Sequence, residues 1–439
     1  MSAWADHAIW WHIYPLGFTG APHGALAAGE PVQHRLGHLE AWLDYVVELG
    51  TNGLLLGPIF ASETHGYDTI DYLRIDPRLG DDADFDALVA AAHSRGLKIM
   101  LDGVFNHVGR GHPRFAAALA DGPDSPAGRW FRWEPDASGT LAPAVFEGHG
   151  ALVTLNHDNP EVAAHITAVM GHWLDRGADA WRLDAAYAVP AEFWQRVLPA
   201  VRAAHPDVWV MGEVIHGDYP EYVAASGVDS VTQYELWKAL WSSVLDGNFF
   251  ELAWALTRHD EFALDFLPLT FAGNHDVTRI ASRITDPRHV THVLAVLFLV
   301  AGAPSVYSGD EQGFVGVKEE REGGDDAIRP QFPPDPTGLA PQGWAVYREH
   351  QRLIGLHRNH AWLARARTTV LHVGNEELVI GADSPDGNDH LVLALNLSDG
   401  PFTPPLALGE RLLTSGEAQP GDPGVIAAHS WAVYETAPG

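Results

Sequence analysis

The sequence contains no cysteine, so disulfides and thiolate metal sites are excluded. Lysine is also scarce, because only Lys98, Lys238 and Lys318 occur among 27 basic residues. The chain also has 57 acidic residues, which outnumber the 27 basic ones and give a formal net charge of −30 at pH 7. A charge of this sign repels both nucleic acid and anionic lipid. We therefore expect neither nucleic acid nor a membrane surface as a partner.

Long hydrophobic runs are missing as well, since no stretch reaches the roughly 18 apolar residues of a membrane span. The first residues, MSAWADHAIWWHIYPLG, lack the basic segment and continuous apolar stretch of a secretory leader. These absences predict a cytoplasmic protein. What is abundant is material for a core, because 46% of the 439 residues are hydrophobic, with 16 tryptophans and 17 phenylalanines. Such a chain is large enough for an extensive buried core.

Short apolar runs alternate with amphipathic segments as far as residue 359. The runs have the length and composition of buried strands and lie at 8–15, 52–58, 97–107, 179–186, 207–214, 228–235, 267–276 and 303–311. Helical patterns lie between and after them, at 36–49, 84–96, 159–177, 190–205, 236–258, 287–301 and 343–359. Eight such units predict an α/β fold, a (β/α)8 TIM barrel, with an open doubly wound sheet as the alternative.

The spacing of these units also predicts three parts of the chain. The barrel takes residues 1–107 and 153–362, and a short insertion after the third strand takes 108–152. After the barrel, short apolar runs are separated by Gly, Pro, Asp and Asn. This pattern predicts a small C-terminal antiparallel β domain over 363–439, a β-sandwich.

Charged residues collect where the predicted strands end. In the stretch ADAWRLDAAYAVP, Arg182 and Asp184 lie two residues apart, so both point to the same side of a strand. Alone, the pair has an equally good interpretation as a structural ion pair. Other predicted strands also end in polar groups, namely Asp102, Asn106, His107, Glu213, Asn274, His275 and Asp276. Because active sites of such barrels lie at the carboxyl ends of the strands, we expect one shared site.

The predicted site has the residues that glycoside hydrolysis requires. Two carboxylates flank the scissile bond in that reaction, one as nucleophile or stabiliser and the other as proton donor. Aromatic residues that could stack on sugar rings follow the strand ends, although most of them also fit a core role: Trp11, Tyr14, Tyr67, Trp130, Phe131 and Trp133. Of these, Tyr67, in the loop HGYDTIDY, and Trp133 are our candidates for sugar contacts.

Four segments at these positions carry a family resemblance. DGVFNH, WRLDAA, MGEV and FAGNHD resemble, in order and each on the expected strand, the four signature segments of the α-amylase family of glycoside hydrolases. LNHDNPEV, HGYDTIDY and SVYSGDEQG are similar to further landmarks of the family. In the loop 315–341, GGDDAIRPQF resembles a segment that lines the cleft in its cyclodextrinase and neopullulanase branch. The chain begins directly at the first strand, so we expect it to lack the N-terminal β domain of that branch.

The resemblance implies roles for three acids. Asp184 would be the nucleophile that forms a covalent glycosyl-enzyme intermediate, and Glu213 would act as general acid and then as base. Asp276 would hold the 2- and 3-hydroxyls of the distorted sugar. Together they imply a retaining α-glycoside hydrolase that cleaves α-glucosidic bonds.

The resemblance also implies a set of substrate-binding residues. Arg182 would fix the nucleophile and keep it ionised, and Asp102 would orient that arginine. The remaining sugar contacts implied in this way are Tyr67, His107, His275, Asp326 and Arg329.

The expected substrates are short linear or cyclic maltooligosaccharides. Directly after the second signature segment, WRLDAA, the family's starch-degrading members usually carry a Lys-His pair, where this chain has Tyr187 and Ala188. That departure argues against a long-polymer amylase. No cofactor is required by this chemistry, although Asn106 matches a residue that binds calcium in many relatives. The oligomeric state is left open, with a homodimer among the options.

Three other functions remain open at this point. A transglycosylase or isomerase of the same family would hand the intermediate to another sugar. A non-catalytic sugar-binding relative would have been free to lose its acids, which are present here. A metal-dependent hydrolase is suggested by 25 histidines, but it would need several histidines at strand ends, and these are few.

Overall fold

A computed structural model of the protein describes residues 4–27, 29–321, 323–415 and 422–436. It contains eight parallel strands that pair in chain order: β1 to β8 are Trp10–Ile13, Gly53–Leu56, Lys98–Gly103, Ala180–Leu183, Trp209–Gly212, Ser230–Val231, Leu269–Phe271 and Ala303–Tyr307. The first strand pairs with the eighth. A single parallel bridge between Thr232 and Leu269 joins the end of β6 to β7 and completes the ring. The predicted TIM barrel is confirmed.

Side chains fill the inside of the barrel because its strands are buried on both faces. Trp10 of β1 and Trp209 of β5 stack there, with ring centroids 5.9 Å apart and planes 5° apart. Leu55, Met100 and Met211 pack around them. The neighbouring strand must lack a side chain at one point, since a Cβ on Gly53 would lie 2.5 Å from the Trp10 ring. The barrel interior is therefore a packed core.

The described residues form thirteen α-helices. In chain order, α1 to α13 are Pro15–Phe18, Leu36–Glu40, Leu43–Leu49, Asp82–Ser94, Pro113–Asp121, Pro160–Asp175, Ala191–Ala204, Tyr219–Ser226, Tyr234–Asp246, Phe250–Asp265, Ile280–Arg283, Val290–Leu299 and Gly343–Asn359. Caps fix several of these ends: Asp81 and Asp84 form a capping box at α4, and Asn159 caps α6 ahead of a proline.

Two predicted helices are broken in the structure. The segment predicted as one helix over 36–49 is divided into α2 and α3, and the segment over 236–258 belongs to α9 and α10. The second break follows from Gly247, which adopts a left-handed conformation (φ 59°) and ends α9. Across the described ranges, every helix is too short or too polar to cross a bilayer.

The insertion after β3 is a small antiparallel unit. Strands His107–Gly109 and Leu152–Thr154 pair at its base. Between them lie α5 and a hairpin of Trp133–Pro135 with Leu141–Pro143. A further hairpin, Phe60–Ser62 with Thr69–Ile75, follows β2. Both additions are on the carboxyl side of the barrel strands, where they border the predicted site.

The C-terminal part consists of one antiparallel sheet in the described residues, where the sequence predicted a β-sandwich. Its strands β9 to β13 are Arg367–Val373, Glu377–Asp383, His390–Asn396, Glu410–Thr414 and Ser430–Thr436, in the order β9-β10-β11-β13-β12. A second sheet is not needed because other elements cover both faces. Helix α12 packs on β11 and β13, and Phe402 and Ile426 pack on the opposite face.

Two buried acids follow β8 directly. Asp310 pairs with Arg279 at 2.8 Å, and the hydroxyl of Tyr45 donates to Oε1 of Glu311 at 2.8 Å. The backbone N–H of Gly309 donates to Oε2 of Glu311 at 2.9 Å. Burial nevertheless raises the pKa of Asp310 to about 6 and that of Glu311 to about 7.

We expect Glu311→Gln to flatten the pH dependence of stability. The folded state keeps a proton on Glu311 between pH 4.5 and about 7, where the unfolded state releases it, so the free energy of unfolding falls as pH rises through this window. The effect is at most about 3 kcal/mol. Denaturant titrations at pH 5, 6, 7 and 8 measure it, with the exposed Glu192→Gln as control. Equal slopes in the wild type and Glu311→Gln would contradict this assignment.

Candidate active site

Strand register brings the key side chains together at the carboxyl end of the barrel. Arg182 on β4 is directly opposite Asp102 on β3. Leu183 is opposite Gly212 on β5, so the residues that follow them, Asp184 and Glu213, are also neighbours. Backbone hydrogen bonds continue this register, since the N–H of Glu213 donates to the carbonyl of Leu183 at 2.9 Å. The strand ends therefore form one row of charged groups.

The guanidinium of Arg182 contacts three carboxylates. Its Nη1 donates to both oxygens of Asp102, at 2.7 and 2.6 Å, and lies 3.3 Å from Oδ1 of Asp184. Its Nη2 lies 2.6 Å from Oε1 of Glu213. All four side chains are buried. If all were ionised, the cluster would carry two more negative charges than positive ones.

This arrangement differs in one respect from the sequence prediction, in which Arg182 keeps the nucleophile ionised. Its short contacts go to Asp102 and Glu213, and its contact with Asp184 is longer. Burial and the adjacent Glu213 carboxylate raise the pKa of Asp184 well above its usual range, against the attraction of Arg182. The physical reason is that one guanidinium does not balance three buried carboxylates.

Two further groups position Glu213. The backbone N–H of Ala185 donates to Oε2 at 3.0 Å, from a residue held in the left-handed region at φ 45°. The hydroxyl of Tyr234 donates to Oε1 at 3.2 Å and accepts a hydrogen bond from Asn274 at 2.9 Å. Tyr234 was not among the residues predicted from the sequence, although its place three residues after β6 was a usable signal.

A second set of groups surrounds Asp276. Oδ1 accepts from Nη2 of Arg329 at 2.8 Å, and Oδ2 lies 2.9 Å from Nε2 of His275. Although burial opposes it, His275 and Arg329 hold the pKa of Asp276 well below its usual range. The ring of Tyr67 stacks on His275 at 5.5 Å, and its hydroxyl donates to Asp102 at 3.1 Å. Asp276 is thus an ionised carboxylate next to the Arg182 cluster.

The structure brings most, but not all, of the predicted residues together. His107 is buried beside Tyr67 and donates from Nε2 to the Tyr67 carbonyl at 3.1 Å. Asp326 faces outward to His23 at 3.8 Å, and the neighbouring Asp325 pairs with Arg329 at 3.0 Å. Asp325, and not Asp326, therefore contacts the Arg329 side chain, and a sugar contact of Asp326 stays a prediction.

Trp133 lies in the hairpin of the insertion. Its indole N–H donates to the carbonyl of Gly128 at 2.8 Å, and its ring packs on the core. In the described structure, no hydrogen bond or ring contact joins it to the carboxylate cluster. The aromatic residue that the insertion does place at the site is Phe146, which stacks on His107 with centroids 4.9 Å apart.

The insertion also contacts the residue that replaces the family's Lys-His pair. The hydroxyl of Tyr187 donates to Oε1 of Glu147 at 2.8 Å, and the backbone N–H of Tyr187 lies 3.3 Å from the Glu213 carbonyl. Glu147 reaches this position from the left-handed region, at φ 47°. A wall of insertion residues therefore stands beside the acids.

Asn106, which the resemblance matches to a calcium-binding residue of many relatives, lies beside His107, and calcium binding there stays a prediction. Its side-chain amide donates to Nδ1 of His107 at 3.1 Å. Calcium favours six to eight oxygen ligands, usually several carboxylates among them. The described ranges contain two groups of three His, Asp or Glu residues with metal-ligand spacing. Neither group includes a residue next to Asn106 or a member of the Arg182 cluster.

The fold and the site define a class: a TIM-barrel hydrolase whose acids collect at the carboxyl ends of neighbouring strands. Comparison with known proteins gives the family. The α-amylase catalytic domain model matches residues 35–352, so the chain belongs to the α-amylase family of glycoside hydrolases.

Individual relatives agree with this. Cyclomaltodextrinase from Geobacillus thermopakistaniensis (strain MAS1) is 28% identical over 431 residues, covering 93% of this chain and 72% of that enzyme. An intracellular maltogenic amylase from Bacillus subtilis is 31% identical over 409 residues, covering 87% and 66%. Among solved structures, the ligand-free cyclic α-maltosyl-(1→6)-maltose hydrolase from Arthrobacter globiformis has a TM-score of 0.81 at 26% identity, covering 99% of both chains.

We expect Arg182→Lys to lower kcat by a factor on the order of 10³. Lysine is a point charge that does not bridge three carboxylates with a planar fork. The acid limb of the pH profile of kcat/KM should also move to higher pH, because Asp184 then loses part of its counter-charge. Steady-state kinetics over a pH series measure both effects. Arg95→Lys, in an exposed pair with Asp44, is the matched control. Near-normal turnover in Arg182→Lys would show that the Arg182 cluster has only a structural role.

Proposed function

We propose that the protein hydrolyses α-glucosidic bonds in short linear or cyclic maltooligosaccharides, with retention of configuration. The observation that carries this proposal is the adjacency of Asp184 and Glu213 on neighbouring strands, both against Arg182. Retaining enzymes use two such carboxyl groups, one as nucleophile and one as acid and base.

In the first step, Glu213 donates its proton to the glycosidic oxygen while the bond from that oxygen to C1 breaks. The Asp184 carboxylate attacks C1 and forms the glycosyl-enzyme ester. In the second step, Glu213 removes a proton from water, the water oxygen attacks C1, and the bond to Asp184 breaks. Burial and the neighbouring Glu213 carboxylate raise the pKa of Asp184 in the free protein, so substrate binding has to lower it for Asp184 to attack as a carboxylate.

The excess negative charge of the cluster suits the transition state of this reaction. Positive charge develops at C1 and the ring oxygen as the bond breaks. The carboxylate of Asp184 is buried, where electrostatic attraction is stronger than in water, and that of Asp276 is half-buried. Arg329 keeps Asp276 in place from the far side. The groups that this mechanism needs are all side chains, so we propose that it requires no cofactor.

The substrate size follows from the wall of insertion residues and from the relatives. Phe146, Glu147 and Tyr187 stand beside the acids, which favours short or compact substrates over a long polymer. The names of the relatives point to cyclodextrins, maltooligosaccharides and a cyclic maltosyl-maltose. The intracellular Bacillus subtilis relative also supports our proposal of a cytoplasmic location.

We expect Asp184→Asn and Glu213→Gln each to lower kcat on maltotriose by a factor on the order of 10³ or more, with little change in stability. An activated aryl maltoside separates their roles, because its leaving group needs no proton. Glu213→Gln should then still release one equivalent of phenolate in a burst, and Asp184→Asn should release none.

Two surface variants serve as controls for this pair, Asp158→Asn and Glu192→Gln, since both side chains are exposed. Near-normal turnover in either active-site variant would contradict the assignment, and a burst from Asp184→Asn alone would reverse the two roles.

We expect the α-anomer to be released first from maltotriose and from β-cyclodextrin, since two inversions at C1 restore the starting configuration. A proton NMR time course detects the anomer before mutarotation. Both short substrates should turn over faster than soluble starch, and transfer products at high substrate concentration would indicate a transglycosylase. Release of the β-anomer first would overturn the mechanism.

A further inference from the structure

The barrel and the C-terminal sheet meet along helix α12. The indole N–H of Trp431 on β13 donates to Oγ1 of Thr291 at 3.0 Å. Within the same seam, Nε2 of His292 lies 3.2 Å from the carbonyl of Asn396. These contacts join the two parts at the start of α12, and a cluster of titratable side chains lies at the end of the seam.

This cluster consists of Asp286 and His289, which precede α12, and His429, which precedes β13. One ligand atom of each lies within 4.8 Å of the other two. Nε2 of His289 and Nδ1 of His429 are 3.0 Å apart. We propose that these three residues bind a divalent transition-metal ion, with Zn²⁺ as the best match, and that the ion fastens the C-terminal sheet to the barrel.

The spacing of the two nitrogens fits one shared ion. Two imidazole nitrogens at 2.0–2.1 Å from a tetrahedral Zn²⁺ lie about 3.3–3.4 Å apart, a few tenths of an ångström more than the observed separation. Two imidazoles and a carboxylate are a ligand set suited to Zn²⁺, and a water molecule would complete the tetrahedron. Calcium and magnesium, which favour oxygen ligands, fit this set poorly.

Asp399 supports His429 from behind. Its Oδ1 lies 2.9 Å from Nε2 of His429, so that nitrogen carries the proton and Nδ1 presents its lone pair to His289. A carboxylate bound to the far nitrogen is the usual support of a zinc-binding histidine. The backbone of His429 adopts a left-handed conformation, φ 52°, which is uncommon for residues other than glycine, although histidine adopts it more often than most.

Charge and access also favour a cation. Asp286 and His289 line an open cleft of about 270 Å³, together with the acidic side chains of Asp246 and Glu376. Arg288 binds the Asp286 carboxylate, with Nη2 at 2.6 Å from Oδ2, and keeps it near the two imidazoles. An ion would share that carboxylate with Arg288. Apart from the imidazole of His289, the described residues that line the cleft include no aromatic ring that could stack on a sugar.

Metal-free protein has an alternative arrangement for the two imidazoles. Because Nε2 of His429 donates to Asp399, Nε2 of His289 donates its proton to Nδ1 of His429. On metal binding, His289 changes tautomer, so its proton moves to Nδ1 and both facing nitrogens become ligands. The metal-free and metal-bound states therefore differ in which nitrogen of His289 carries the proton.

The other cluster with metal-ligand spacing in the described residues provides a control. It consists of His34, Asp81 and Asp84. It offers only one imidazole, whereas the cluster at the seam offers two, and its carboxylates hold the capping box of α4. We expect it to bind no ion tightly.

The test uses the full chain, stripped with a chelator and then titrated with ZnCl₂. The wild type should bind one more zinc ion than His289→Gln or His429→Asn, and zinc should raise its Tm but not theirs. Co²⁺ in place of zinc should give the visible spectrum of a tetrahedral site only in the wild type. Hydrolysis of maltooligosaccharides should be unchanged in all variants, so the result is independent of the proposed function.

Asn at position 429 tolerates the left-handed backbone, which protects the folding of that variant. Asp399→Asn, at a fully exposed carboxylate, should fold normally and weaken zinc binding 10- to 100-fold. His34→Gln should behave like the wild type. The proposal is overturned if the wild type shows no rise in Tm with zinc, or if His289→Gln and His429→Asn bind as many ions as the wild type does.

Discussion

The guanidinium of Arg182 is buried among the carboxylates of Asp102, Asp184 and Glu213, and these come from three adjacent strands. An isolated buried charge would cost several kcal/mol, so each strand has to keep the register that delivers its carboxylate. The same register makes Asp184 and Glu213 neighbours. The ladder of β3, β4 and β5 and the chemistry proposed for this site therefore depend on a single ion cluster.

That cluster contains more acidic than basic groups, and this excess of negative charge suits the chemistry proposed for the site. With one positive group against three acids, burial and the neighbouring Glu213 carboxylate raise the pKa of Asp184 well above its usual range. The transition state of glycoside cleavage supplies the missing positive charge at the sugar. The excess negative charge of the free site is complementary to the oxocarbenium-like transition state. Groups that stabilise the transition state more than the bound substrate lower the activation barrier.

The sequence was sufficient to predict the features that depend on periodicity. Eight apolar runs predict the barrel, and because barrel sites lie at the carboxyl ends of strands, the sequence also predicts that Asp184, Glu213 and Asp276 lie close together. Residues close to a strand end inherit their position from the strand. This is why Arg182 and Asp102, which are directly opposite each other, were also predictable.

Residues whose position depends on backbone conformations outside the strands were not predictable in this way. A left-handed Ala185 aims its N–H at Glu213, and a left-handed Glu147 reaches Tyr187. Nothing in the periodicity of the sequence marks a left-handed residue that is not glycine. In the loop after β8, Asp325 pairs with Arg329, whereas the adjacent Asp326 lies near His23. Strands thus fix the reacting groups, while loops fix which substrate reaches them, and the second problem requires the structure.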